Sequence, residues 1–296
     1  NGDSPGPDGD IANSAVETKT GALGGSVFSD WGYAGASVSR YLNEYGNPAE
    51  PGDGIDPGVT LDMQQTRYDT KLGFNKPIDS LDAIKLAYSY TDYQHTEFEG
   101  DEVGTQFFST GQQFRAEAVH STNESHKGAF GVQAQKKEFE AVGAEAFIPS
   151  TESSGYGLFI VEQFNRGKFK YELGARFDDN SSSADGFDER SFNLYSASAA
   201  GRYAINGNFD ITLNLDHAER SPVEEELYSD GLHAATAAYE IGDPGLVKEK
   251  AKQIELGVHF HSERFEAKVA VYRNSFDDFI YLSGTGLFFD DDGELL

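Results

Sequence analysis

Imidazole and carboxylate side chains are concentrated in one segment of the first half of the chain. His95, Glu97, Glu99, Asp101 and Glu102 lie close together in the sequence. Zinc takes imidazole nitrogen and carboxylate oxygen as ligands, usually four in all. The segment therefore has the donor types of a divalent-cation site, although acidic loops are commonly just solvated.

A second segment repeats this donor chemistry in the last third of the chain. One histidine stands among five acidic residues: His233, Glu224, Glu225, Glu226, Glu240 and Asp243. The two segments are far apart in the sequence. Whether they can share one cation depends on the elements that carry them.

Other kinds of chemistry have little support in the sequence. The absence of cysteine excludes disulfides and thiol nucleophiles. No glycine-rich phosphate loop precedes a helix, and the carboxylate pairs lack a pocket signature. We therefore expect no enzyme, no catalytic residues and no bound cofactor. The formal charge of −27 repels nucleic acid and favours cations.

Alternation of apolar and polar residues is the dominant pattern along the chain. From Phe209 to Asp216 every apolar residue falls on one face and every polar residue on the other. Residues Ile254 to Phe260 follow the same rule. A soluble two-sheet sandwich produces this alternation as well as a membrane barrel does, so the connections must separate the two.

The connections favour the membrane barrel. Twelve strands are predicted: 16–28, 32–42, 61–75, 81–93, 106–120, 127–138, 153–165, 169–179, 192–203, 209–219, 248–261 and 265–275. Short and long connections alternate between them, as in outer-membrane barrels with short periplasmic turns and long external loops. Strands of ten or more residues suit a tilted membrane crossing. The predicted fold class is an all-β, antiparallel transmembrane β-barrel.

The same topology predicts an incomplete barrel. The first strand runs into a short turn and the last strand follows one, so both ends of the chain are expected outside the cell. Bacterial outer-membrane barrels normally keep both ends in the periplasm. We therefore expect strands to be missing at both ends, with a self-contained twelve-stranded barrel as the alternative.

Several motifs carry a resemblance to a known family. The segment from Glu219 to Pro222, with Tyr228 and the residues up to Pro244 beyond it, resembles the long barrel loop of TonB-dependent outer-membrane receptors. The stretch from Tyr272 to Tyr281 continues the match, and upstream motifs extend it over nearly the whole chain. The similarity is greatest to the zinc-uptake branch.

The resemblance implies a Gram-negative outer-membrane receptor that takes up zinc or a related metal or metal chelate. It implies a barrel of about 22 strands, in which residues 1–296 form part of a single barrel domain without the plug domain and the C-terminal strands. The expected partners are the TonB complex (through the missing plug), the transported metal and outer-membrane lipid. A passive porin and a soluble all-β binding domain are the alternatives.

The resemblance also suggests metal ligands. Glu97 and His233 match the loop glutamate and loop histidine that contribute to metal binding in the zinc branch, and His95 is their natural neighbour. The outer loop 43–60 has no histidine, which leaves the choice of metal open. Separately, His259 and His261 are two residues apart and share a face of a strand. They are predicted to line the lumen near the periplasmic end, as ordinary polar lining or as a metal relay.

Overall fold

The fold is dominated by one large antiparallel sheet. The computed structural model describes residues 2–7, 9–48, 58–100, 102–143, 146–233 and 238–288. The strands of the large sheet are β3 (Val16–Ser29), β4 (Gly32–Pro48), β5 (Gly58–Ile78), β6 (Leu81–Glu99), β7 (Glu102–Asn123), β8 (His126–Gly143), β9 (Thr151–Arg166), β10 (Phe169–Ala184), β11 (Arg190–Ala204), β12 (Phe209–Arg220), β15 (Glu249–His261) and β16 (Glu266–Asp277). Two small hairpins complete the strands: β1 (Ser4–Gly6) with β2 (Gly9–Ile11), and β13 (Asp230–His233) with β14 (Ala238–Ile241).

Each strand of the large sheet pairs with the strand that precedes or follows it in this series. The order runs from β3 to β12 and then to β15 and β16, and all pairs are antiparallel. Each of the twelve predicted strands corresponds to one strand of this sheet. Where a predicted strand extends beyond the observed one, it does so by a single residue. The predicted all-β, antiparallel fold class is therefore confirmed.

Several strands are longer than the sequence pattern predicts. β5, β6 and β7 contain 21, 19 and 22 residues. The predicted strands 81–93 and 106–120 leave a long loop at 94–105 between them. This prediction is wrong, because β6 continues to Glu99 and pairs there with Glu102 of β7. The ladder satisfies the backbone hydrogen bonds of these polar residues, so the hairpin continues although its apolar alternation has ended.

The two faces of the sheet differ in chemistry. One carries exposed apolar side chains, such as Leu213, Leu256 and Val271, which are 41%, 52% and 72% exposed. The opposite face carries polar side chains such as Asp210, which is 2% exposed. We call them the apolar face and the polar face. In a soluble sandwich the apolar side chains would instead be buried, packed against those of a second sheet.

The connection between β12 and β15 folds over one end of the sheet. It contains one short helix, α1 (Glu224–Tyr228), followed by the β13–β14 hairpin. The N–H of Val223 donates to the Glu226 carboxylate at 2.9 Å, and Arg220 donates to the same carboxylate. No helix in the described ranges is long and apolar enough to cross a membrane.

Candidate functional site

His95 and Glu97 form a fixed pair on the polar face, near the end of the sheet that carries the long connections. Both stand on β6 two residues apart, so their side chains project on the same side. His95 Nε2 lies 3.6 Å from Glu97 Oε1, and Glu97 is only 5% exposed. A 2.9 Å hydrogen bond joins the Tyr93 hydroxyl to His95 Nδ1 and holds the ring in place.

A row of stacked rings separates this pair from His233. His95 stacks on Phe107 with ring centroids 4.3 Å apart, and Phe107 meets the edge of Phe147 at 6.5 Å. Phe147 in turn stacks on His233 at 4.4 Å. The structure thus brings the predicted residues to one end of the sheet but not into one coordination shell, where ligand atoms lie about 3–4 Å apart.

His233 has its own carboxylate partner in the β13–β14 hairpin. Its Nδ1 lies 2.9 Å from Glu240 Oε1. The Tyr239 hydroxyl donates to Asp230 at 3.1 Å and so clamps the hairpin. Burial raises the pKa of Tyr239, and the hydrogen bond to Asp230 raises it further, which favours the protonated hydroxyl that donates this bond. The Asp230 N–H also donates to the Phe147 carbonyl, which ties the hairpin to the stacked rings.

Other acidic residues of the two segments have structural partners. Glu224 accepts a hydrogen bond from Ser153 at 2.8 Å and lies 3.6 Å from Lys137. Glu226 pairs with Arg220 at 2.8 Å. These contacts fasten the β12–β15 connection to the sheet. Asp101, and Asp53 and Asp56 of the loop 43–60, lie outside the described residues.

A second group of donors lies on the polar face at the opposite end, where the turns are short. Asp210 of β12 is paired with His259 of β15. His259 Nδ1 and His261 Nδ1 lie 3.7 and 3.8 Å from the same Asp210 oxygen, Oδ2. Among the described residues, Asp210, His259 and His261 are the one group of three whose ligand atoms are close enough to hold a metal ion together. The sequence predicted the histidine pair but missed Asp210.

Another histidine pair belongs to the apolar face at the same end. His120 Nε2 and His126 Nε2 lie 3.1 and 2.8 Å from the two oxygens of Glu162. His126 also stacks on Phe164 with centroids 4.4 Å apart. Each carboxylate oxygen already has a direct histidine partner, so this group is a hydrogen-bonded cluster beside the short turn between β7 and β8.

These features are typical of the wall of an outer-membrane β-barrel. The antiparallel strands present apolar side chains on one face, and their turns are short at one end. The family model "TonB dependent receptor-like, beta-barrel" matches residues 3–293. The chain therefore belongs to the TonB-dependent receptor β-barrel family, whose members are receptors and transporters and not enzymes.

Solved structures show the same fold at low identity. The chain is similar to the copper transporter OprC, with 15% identity and a TM-score of 0.79 over 94% of this chain and 48% of that one. It is similar to the FrpB iron transporter from Neisseria meningitidis, with 12% identity and a TM-score of 0.73 over 99% and 50%. For the hemophore receptor HasR of Serratia marcescens the values are 13% and 0.70 over 93% and 47%. The chain thus spans about half the length of these proteins.

Membership of this family orients the sheet. In outer-membrane barrels the short turns face the periplasm and the long loops face outside, while the apolar face meets lipid. The polar face is then the lumen wall. His95, Glu97 and His233 lie toward the outer end of that wall, and Asp210, His259 and His261 lie toward the periplasmic end.

Proposed function

We propose that the chain is part of an outer-membrane TonB-dependent receptor that takes up zinc or a related metal, free or as a chelate. In this proposal the TonB complex is its partner and supplies the energy through a plug domain. His95, Glu97 and His233 are the metal-binding residues of the outer half of the lumen.

The pair formed by half-buried His95 and buried Glu97 carries the proposal. Its ring and carboxylate are held on a rigid strand, and fixed donors cost little ordering when a cation arrives. Imidazole nitrogen with carboxylate oxygen suits zinc and similar borderline ions. His233 and Glu240 supply the same two donor types on a loop at the same end of the wall.

The spacing of the two pairs favours a relay over a single closed site. His95 and His233 stand on opposite sides of Phe107 and Phe147. A cation would therefore first meet one histidine–carboxylate pair and then the other, with remaining ligands from water or the plug. The net charge of −27 favours cations at this surface.

The names of the structural neighbours support a metal-related cargo. They are a copper transporter, an iron transporter and a receptor for a heme-carrying protein. Zinc itself is supported by the donor types of this chain and by the resemblance of its loop motifs. A cargo bound through bulky chelate groups would use the lumen surface differently and depend less on Glu97.

Binding of zinc by the full-length receptor tests the proposal. Calorimetric titration of the purified receptor is expected to show at least tenfold weaker binding in Glu97→Gln and in His95→Gln, because each loses a charged or coordinating group. His233→Gln is expected to weaken binding as well. Glu140→Gln is the matched control, since Glu140 is an exposed carboxylate on the apolar side of β8 near the same end.

Uptake measurements complete the test. Cells that carry the wild-type receptor should accumulate zinc from a chelator-limited medium only when TonB is present, and the Glu97→Gln cells should not. Unchanged zinc affinity in all three variants would remove the site assignment. Normal uptake without TonB would remove the energised mechanism.

A further inference from the structure

Two histidines and an aspartate converge on the lumen wall near the periplasmic end. We propose that Asp210, His259 and His261 bind a borderline divalent cation such as zinc there. This site is separate from the proposed outer residues. At about 3.3 Å per residue, His95 lies about 45 Å along β6 from the periplasmic turns. The proposal does not depend on which cargo the receptor carries.

The orientation of the His259 ring fits a metal ligand. Its Nε2 lies 2.9 Å from Glu266 Oε1. When this nitrogen carries the proton and donates it to Glu266, Nδ1 is left with a lone pair, and that nitrogen faces Asp210. A carboxylate that holds the far nitrogen of a ligating histidine is the usual support of a zinc site, because it fixes the tautomer and raises ligand basicity.

The distances between these donor atoms are longer than hydrogen bonds and slightly longer than the spacing of ligands around one zinc ion. The two Nδ1 atoms lie 3.7 and 3.8 Å from Asp210 Oδ2, which is too long for a hydrogen bond. Ligands about 2.0–2.1 Å from a tetrahedral zinc ion are about 3.3 Å apart, so a small inward movement completes the site. His261 Nδ1 is buried and has no hydrogen-bond partner among the described residues. A cation would satisfy this nitrogen.

Two hydrogen bonds to Asn208 hold His261 in place. His261 N–H donates to the Asn208 carbonyl at 2.9 Å, and the Asn208 side chain donates back to the His261 carbonyl at 2.8 Å. These bonds pin the end of β15 to the turn before β12. Three protein donors leave the fourth position of a tetrahedral ion open, which is the pattern of an exchangeable site and not of a closed structural one.

Arg202 is the competitor for the aspartate. Its guanidinium donates to Asp210 Oδ2, the oxygen that both histidines face. The Arg202 side chain is 45% exposed and can turn toward water. The cation must either displace Arg202 or use the other carboxylate oxygen. This competition distinguishes a metal site from a plain network of ion pairs. If the group binds a metal, removing Arg202 should strengthen metal binding. If the group is only an ion-pair network, removing Arg202 should weaken it.

Metal titration of the full-length receptor in detergent tests the site. The chelator-stripped protein is titrated with zinc by calorimetry and with cobalt by absorption. We expect one binding event to disappear in the double variant His259→Gln and His261→Gln, and its affinity to fall at least tenfold in Asp210→Asn. Arg202→Gln should tighten binding severalfold. His217→Gln is the control, because His217 lies on the opposite face at the other end of β12.

Each outcome decides the proposal. An unchanged number of bound ions in the histidine double variant would overturn it, as would weaker or equal binding in Arg202→Gln. Heat-modifiable gel mobility checks that each variant is folded. If the double variant does not fold, the single variant His261→Gln replaces it, because the His261 side chain is 43% exposed and its loss should disturb the fold less. Glu97→Gln should leave this binding event intact, so failure of the outer site and failure of this site are distinguishable.

Discussion

The β12–β15 connection, which carries His233, is held to the sheet by a very small apolar cluster. Leu227 and Tyr228 are 0% and 1% exposed, and they pack with Ala184 and Leu246. Replacing Leu227 with alanine leaves a cavity, and such changes cost about 2–5 kcal/mol. Tyr228→Phe removes only the hydrogen bond to the Ser182 carbonyl, worth about 0.5–1.5 kcal/mol. Neither change touches the ladder of the sheet, so the loss should appear as local opening of the connection.

Hydrogen exchange of the full-length receptor, followed by mass spectrometry, measures this opening. Since about 1.4 kcal/mol is a factor of ten, Leu227→Ala should raise the opening constant of the connection by about 30-fold or more. Tyr228→Phe should raise it by about tenfold or less. The exposed Val223→Ala serves as the control. Equal exchange in Leu227→Ala and Val223→Ala would refute the anchoring role, and so would a parallel rise in the strands of the sheet.

Two further changes test the sheet itself. Leu256→Arg places a charge on the lipid-facing side of β15 and should lower the free energy of unfolding by about 2–4 kcal/mol, measured with denaturant in lipid vesicles. Gln253→Arg on the polar face should lower it much less. Equal losses would contradict the assignment of faces. Gly32→Ala should destabilise the turn between β3 and β4 by about 1–3 kcal/mol or more. The φ of Gly32 is +142°, and a Cβ at this position would overlap the Gly73 carbonyl. Gly25→Ala, where a Cβ meets nothing, is the control in the same unfolding measurement, and comparable losses in both would exclude this cause.

The twelve strands could be predicted because lipid on one face and the lumen on the other impose an alternation. That constraint ends where the sheet leaves the membrane. Between Gln94 and Thr105 neither face needs to meet lipid, so polar residues occupy successive positions and the sequence pattern does not indicate that pairing continues. The ladder between β6 and β7 nevertheless extends to Glu99 and Glu102. The sequence pattern therefore predicts a loop where the structure has a polar hairpin.

The candidate site was predictable only where neighbours in sequence are neighbours in space. His95 and Glu97 are two apart, so once β6 is a strand they must share a face. The separation of His95 from His233 depends on Phe147, which enters from another connection and has no sequence signal.

The position of Asp210 beside the two histidines could not be predicted from the sequence. The alternation assigns Asp210, His259 and His261 to one face, but alternation fixes a strand's register only to a multiple of two residues. Strands joined by a short turn can be aligned by counting from that turn. β12 and β15 are joined by the long connection that contains α1 and the β13–β14 hairpin, so no count places Asp210 opposite His259. If β15 were shifted by two residues relative to β12, every apolar side chain would still face lipid, but Asp210 would no longer lie beside His259 and His261. The periplasmic donor group therefore depends on a register that the tertiary structure alone supplies.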